Sequence, residues 1–182
     1  MITSEPCLTS LDNEVSASQE WVFREPLTSD GDDVFSLIAI CPPLDTNSSY
    51  CNFLQVTHFR GTCILVEHQG QLGGFISAYR KPQEPNVLFV WQVAVAPHCR
   101  GKGLALNMLN KLVGRDSLSD IKAIETTITK PNLASWSLFE KFDAIQGNNG
   151  SVGVFLDQDK HFIGKHDTEY LYRIPTKSSA NL

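Results

Sequence analysis

The chain of 182 residues reads as an α+β fold, a mixed α/β arrangement of one sheet with helices laid on it. Three features predict this. Runs of strand length and runs of helical spacing succeed one another in the order β-α-α-β-β-β-α-β-α-β-β. The turn Gln69-Gly70-Gln71 joins two of the strand runs into a hairpin. A long apolar run, Val87 to Ala96, ends at Pro97 and leads at once into a glycine-rich turn and a helix.

Each element has its own signal. Trp21-Val22-Phe23-Arg24 is aromatic and β-branched and suits a first strand. Thr28 or Ser29 can cap a helix whose first turn carries Asp30, Asp32 and Asp33, whose apolar positions are Val34, Leu37, Ile38 and Cys41, and which Pro42-Pro43 ends. After the polar segment Leu44 to Tyr50, helical spacing resumes at Tyr50, Phe53, Leu54 and Thr57. Cys63 to His68 and Leu72 to Tyr79 form the hairpin, and Pro82 and Pro85 bracket a loop. Val87 to Ala96 is expected to be a central strand buried on both faces. A helix from near Gly103 to Gly114 follows, then a strand over Ile121 to Thr129 and a helix from about Asn132 to Phe142. A turn over Gly147 to Gly150 and a closing strand over Tyr170 to Ile174 complete the order.

The length fits one domain, expected over residues 21–175, between a mobile tail at 1–20 and another at 176–182. Apolar residues make up 42% of the chain and charged ones 19%, ordinary for a globular protein. The formal net charge of -5 argues against nucleic acid as a partner. No apolar run reaches a membrane span and the N-terminus has no positive charge, so neither a membrane partner nor a secretory signal is expected, and the location read is cytoplasmic. The five cysteines, at 7, 41, 51, 63 and 99, are scattered without a metal-ligand spacing and read as reduced thiols, with no metal expected.

The most informative stretch is the turn Arg100-Gly101-Lys102-Gly103-Leu104-Ala105. Two glycines let a ligand approach the backbone, the amides converge at a helix N-terminus, and Arg100 and Lys102 add positive charge: together a device for holding a pyrophosphate. Neither the P-loop nor the dinucleotide-binding glycine spacing is present, and a plain tight turn is the competing reading. Arg100-x-x-Gly103-x-Ala105 after Val93-Ala94-Val95 resembles the cofactor motif of the GNAT superfamily of N-acetyltransferases. That resemblance implies a mostly antiparallel twisted sheet flanked by helices, with acetyl-CoA in the cleft between the central strands. It implies that Val93, Ala94 and Val95 face the pantetheine arm. Arg100, Gly101, Lys102, Gly103, Leu104 and Ala105 would hold the pyrophosphate, and Asn132 would lie near the sulfur.

Most of the chain, from about Phe23 to Ile174, also resembles a narrower family, the L-2,4-diaminobutyric acid acetyltransferases, which act in making the compatible solute ectoine. The distinctive pieces are LDTNSSY at 44–50, FVWQVAVAP at 89–97 and HDTEYLYRI at 166–174. The resemblance implies a small diamino acid substrate and a homodimer. Selecting that substrate takes a carboxylate for its α-ammonium and donors for its carboxylate. Asp45 suits the first role, and Asn47, Ser48 or Tyr50 the second. Trp91, two residues before Val93, is placed by alternation on the face of Val93 and Val95, where it would wall the acetyl slot. Asp45 as a helix cap, Trp91 and Tyr50 as packing residues and His166 as a loop histidine stay open beside these roles.

The chemistry expected is direct attack of the γ-amine on the thioester. An alkylammonium of lysine-like pKa must first lose its proton. Glu125 is the first candidate base and His166 the second, with Glu169 to orient it. A backbone amide near Val93 would stabilise the oxyanion. Many GNAT enzymes place a tyrosine where this chain has Phe139, so the leaving thiolate is left to water or to Tyr50. An acetyltransferase of another small diamine and a catalytically silent acetyl-CoA-binding domain are the competing functions.

Overall fold

The computed structural model describes residues 20–177, so most of both expected tails lies outside the described residues. The elements follow the expected order one for one. They are β1 (Val22–Arg24), α1 (Gly31–Ala39), α2 (Ser49–Thr57), β2 (Ile64–His68), β3 (Gln71–Lys81), β4 (Glu84–Val95), α3 (Leu104–Val113), β5 (Ala123–Thr129), α4 (Leu133–Gln146), β6 (Ser151–Leu156) and β7 (Glu169–Pro175). They build one seven-stranded sheet in the order β1-β2-β3-β4-β5-β7-β6. Every neighbouring pair is antiparallel except β4 and β5.

Local chemistry accounts for the connections. Gln69 and Gly70 both take positive φ, 52° and 74°, which is the backbone a two-residue hairpin needs between β2 and β3. The expected loop at 82–85 is shorter than read, because Lys81 pairs with Glu84 and only Pro82 and Gln83 connect the strands. Pro85 is tolerated in β4 because the register jumps there: Lys81 faces Glu84 and Arg80 already faces Leu88. Neither Thr28 nor Ser29 caps α1. They form a single 3-10 turn, and Asp30 stands at the N-cap with its carboxylate bound to Arg24 at 2.7 and 2.9 Å.

The sheet is covered on both faces. On one, α3 packs with Met108 against Gly74, where a Cβ would lie 2.8 Å from the methionine's methyl carbon. On the other, α1 and α2 cross so closely that a Cβ at Gly31 would fall 2.4 Å from the Phe53 ring. The buried core is apolar and runs through both layers, from Val34, Ile38 and Phe75 to Leu109, Leu112 and Phe142. Two expectations need correction here. α2 does not bury Tyr50, Phe53, Leu54 and Thr57 as its inner stripe; it buries Asn52, Gln55 and Val56. The chain's described end is also not a tail: Thr176 donates to the carbonyls of Lys122 and Ile121, and Lys177 bonds to Gln146 and Ile145.

Candidate active site

The site begins with a fork in the sheet. The parallel ladder between β4 and β5 covers only Val87–Phe89 against Ala123–Glu125, yet β4 continues to Val95 and β5 to Thr129. Ala96 donates to Gly73 at 2.9 Å, so on the antiparallel pattern the main-chain groups of Val93 and Val95 turn away from β3 and toward the fork. The Val95 carbonyl accordingly accepts from Cys41 Sγ at 3.3 Å and from Arg100 Nε at 3.1 Å, not from β3. A cleft of about 460 Å3 opens here.

One wall of the cleft is the glycine turn. Gly101 and Gly103 hold φ of 77° and 72°, and Gly103 is the N-cap of α3, so the helix's free N–H groups face the cleft. A Cβ at Gly101 would meet nothing within 4 Å, and one at Gly103 only the Asn107 amide at 4.0 Å. Of the ten residues expected to hold a cofactor, Val93, Val95, Arg100, Gly101, Gly103, Leu104, Ala105 and Asn132 line the cleft. Ala94 and Lys102 do not. Ala94 is buried on the opposite face of β4, as strand alternation requires, and the Lys102 ammonium lies 5.3 Å over the Trp21 ring. Asn132 caps α4 through Ser135, at 3.2 Å. Sequence reasoning missed the lid-like edge formed by Cys41, Pro42, Pro43 and Leu44, because a proline pair after a helix was read only as a stop, and it missed Lys141.

The other face of β4 carries a second group. Ser77 pairs with Gln92 and Ala78 with Val90, so Trp91 is the extra residue of a β-bulge. The bulge cancels the alternation that would have placed Trp91 with Val93. Its ring instead lies 6.4 Å edge-on to Tyr79, which pairs with Phe89 on the α1–α2 side. Trp91 is 46% exposed and Val93 and Val95 are half-buried, so β4 is not the doubly buried strand expected. Gln92 shares the Trp91 face and bonds to the segment bearing Asp45 and Asn47. Ser48, and not Asp45, caps α2, accepting from the Cys51 amide at 3.1 Å. Tyr50 is 72% exposed on the outer side of α2 and neither packs in the core nor lines the cleft.

Glu125 stands where the fork closes, 2% exposed, with Lys81 Nζ at 2.8 Å on one oxygen and Arg173 on the other. Lys81 and Arg173 also bind Glu84, each at 3.0 Å, which holds the Glu84 carboxyl below its usual range. Both oxygens of the first candidate base are thus engaged by cations, and Glu125 does not line the cleft. His166 lies before β7 with Nδ1 2.8 Å from the Asp167 carbonyl and Nε2 3.9 Å from Glu169. Neither His166 nor Glu169 lines the cleft. Phe139 is buried in α4. Among the described residues no group of three or more metal-ligating side chains occurs, and Cys41, Cys51, Cys63 and Cys99 are free thiols; Cys7 lies outside the described residues.

The profile of the Acetyltransferase (GNAT) family matches residues 32–144. The L-2,4-diaminobutyric acid acetyltransferase of Vibrio parahaemolyticus is 60% identical over 177 residues, 97% of this chain and 98% of that one. The chain belongs to the GNAT family, in its L-2,4-diaminobutyric acid acetyltransferase branch. The namesake from Halomonas elongata is 39% identical, covering 83% of this chain and 79% of its own. Among solved structures, the diaminobutyrate acetyltransferase EctA of Paenibacillus lautus, in complex with L-2,4-diaminobutyric acid and coenzyme A, superposes with a TM-score of 0.82. It is 39% identical, over 86% of this chain and 95% of that one. An acetyltransferase from Salmonella typhimurium shares the GNAT fold at a TM-score of 0.67 and 15% identity, covering 90% and 98% of the two chains.

The closed end of the fork makes a stability prediction for this GNAT chain. Removing one partner from a buried ion pair leaves the others uncompensated. Glu125→Gln should therefore lower the unfolding free energy by roughly 3 kcal/mol, the low end for such pairs because Lys81 and Arg173 reach solvent. Urea denaturation of the two proteins checks this, and an unchanged midpoint would remove the cluster from the fold's supports.

Proposed function

We propose that this chain transfers the acetyl group of acetyl-CoA to the γ-amine of L-2,4-diaminobutyrate, giving N4-acetyl-L-2,4-diaminobutyrate, the acetylation that serves ectoine synthesis. The observation that carries the reading is identity of 60% to a named diaminobutyrate acetyltransferase along 97% of the chain. The fork and its glycine turn give the reaction a place.

In this reading the α3 N-terminus and the turn amides from Gly101 to Ala105 receive the diphosphate, where the helix dipole favours negative charge. The pantetheine arm lies along Val93 and Val95 and takes the place of the missing β5 ladder. The thioester carbonyl then reaches the Val93 N–H, which stabilises the oxyanion as the amine attacks. Asp45 takes the substrate's α-ammonium. Its carboxylate is exposed and, among the described residues, bonded to no other side chain. In this reading Trp91 and the Asn47–Ser48 turn flank the same amine.

Proton removal falls to His166 and not to Glu125. The Asp167 carbonyl accepts the Nδ1 proton, which leaves the Nε2 lone pair free in the neutral ring, whereas both Glu125 oxygens are occupied. Glu169, 3.9 Å from Nε2, offers its charge to the ring once Nε2 has taken the proton. Water returns the proton to the leaving thiolate, since Phe139 has no hydroxyl and Tyr50 faces out.

The scattered free thiols suit a reducing compartment, and we place the enzyme in the cytoplasm. Its partner is a second copy. β6 is an edge strand whose sequence, Ser151–Leu156, has no charge or proline, and Val152, Val154 and Phe155 are exposed on it. Such an edge calls for cover. Light scattering should give twice the chain mass of 20.2 kDa, and Val154→Lys should halve it; a wild-type monomer ends the dimer proposal.

Mass spectrometry of the product from 2,4-diaminobutyrate and acetyl-CoA tests the reaction, beside ornithine and putrescine. No preference for 2,4-diaminobutyrate over putrescine would discard the substrate, and tight cofactor binding without turnover of any amine would favour a silent domain. Two variants divide the site. Asp45→Ala should raise KM for the amine about tenfold or more with KM for acetyl-CoA unchanged. Gly103→Val should do the reverse, its side chain standing in the open space the phosphates need.

A further inference from the structure

Gln92 belongs to the strand motif at 89–97, and no role has so far fallen to it. It is 6% exposed on the central strand, and its amide is spent entirely on one target. Nε2 donates to the Asp45 carbonyl at 2.7 Å, and Oε1 accepts from Asn47 Nδ2 at 3.1 Å. Only this orientation of the amide works, since the flipped one would set oxygen against oxygen and nitrogen against nitrogen.

The segment it grips is held at every residue. Asn47 is in the left-handed region, φ 56°, and its Nδ2 also reaches the Asp45 carbonyl at 3.4 Å. Asn52, fully buried in α2, donates to the Thr46 carbonyl at 3.4 Å, and Ser48 closes the segment by capping α2. The main chain from Asp45 to Ser48 is thus fixed from below while the Asp45 side chain is left outward. The bulge brings the Trp91 ring onto the face from which Gln92 reaches this segment.

We propose that Gln92 is a positioning residue for the amine substrate: it locks the Asp45–Asn47 turn to the strand that carries the acetyl donor, one residue from Val93. This rests on Asp45 binding the substrate's ammonium, as proposed above. The lock is needed because the turn has no ladder of its own. Its only ties to the sheet among the described hydrogen bonds are the two to Gln92. A swing of the Asp45 carboxylate by an ångström would then separate amine from thioester.

The test uses the full chain and two readouts, one of which needs no substrate. Gln92→Met keeps the size of the side chain and removes both hydrogen bonds. It should raise KM for 2,4-diaminobutyrate about tenfold, leave KM for acetyl-CoA within about twofold, and speed amide exchange in residues 44–50 but not in α3. Asn47→Gly keeps the left-handed turn without the side-chain bond and should shift both readouts the same way by less. The double variant should be well short of additive and only slightly worse than Gln92→Met alone, because the two share the Gln92–Asn47 link and only the 3.4 Å Asn47–Asp45 bond is lost in addition. Wild-type turnover in the same assay judges the substrate assignment separately, since the exchange result stands without it. Unchanged KM and exchange in Gln92→Met, or equal rises in both KM values with exchange faster throughout the sheet, overturn the proposal. Should Gln92→Met fail to fold, Asn47→Gly decides by the same readouts.

Discussion

The structure depends on a ladder that stops early. Parallel pairing between β4 and β5 lasts three residues, and everything past Phe89 and Glu125 is two strands diverging with their inner main-chain groups unmet. Unpaired backbone is costly when buried, so a sheet that forks in its middle must supply other partners or admit a ligand that does. Here part of the cost is met within the chain: Cys41 and Arg100 take the Val95 carbonyl. The rest of the fork stays open as the cleft. The glycine turn and the start of α4 stand at its mouth because α3 must leave β4 there and α4 must follow β5.

The ladder ends at a cluster of charge. Glu125 is the last β5 residue in register with β4, and it is buried between Lys81 of the β3 end and Arg173 of β7, with Glu84 bridging the same two cations. Two anions and two cations balance, which is the condition for burying any of them. The cluster pins β3, β4, β5 and β7 at one point, so that the strands are free to part beyond it without the sheet losing its register. The same arrangement explains why a carboxylate beside the acetyl channel is a support of the scaffold: its oxygens are consumed in holding the hinge of the fork.

The fold was legible in the sequence because its signals are local. Run lengths, the Gln69-Gly70 turn and the Arg100–Ala105 turn each report on neighbours within a few residues, and the element order followed from them without error. The glycine-turn wall of the cleft was legible for the same reason, since a strand, a turn and a helix start lie within one stretch. The face of β4 that bears Trp91 and Gln92 was not. A bulge is a count of residues on one strand against another, so nothing in FVWQVAVAP shows that Trp91 is the surplus one. The inner face of α2 was misread because apolarity was taken as the sign of burial. Asn52 is inside because the Thr46 carbonyl in the turn before the helix takes its amide, a demand set by tertiary contact, while Gln55 bonds only Cys51 Sγ, at 3.8 Å within the helix. Likewise the partners of Glu125 come from 44 and 48 residues away.

The bulge also bears on how two substrates share one strand. In a regular strand, successive side chains alternate faces, so Trp91 and Gln92 would point opposite ways and only one could meet the α1–α2 side. With the extra residue both do, while Val93 and Val95 keep their main-chain edge toward the fork. β4 therefore presents an open edge at Val93 and Val95 and a separate face at Trp91 and Gln92. On the function proposed above, an acetyl donor laid along the edge and an amine held against the face would meet at the corner between them, next to the Val93 amide. Direct transfer there would need no covalent stop on the protein and none of the free cysteines. On that reading the register of β3 against β4, which creates the bulge, would govern the distance between the two reactants. Changes in β3 near Ser77 and Ala78 should then act on the transfer step although neither residue borders the cleft.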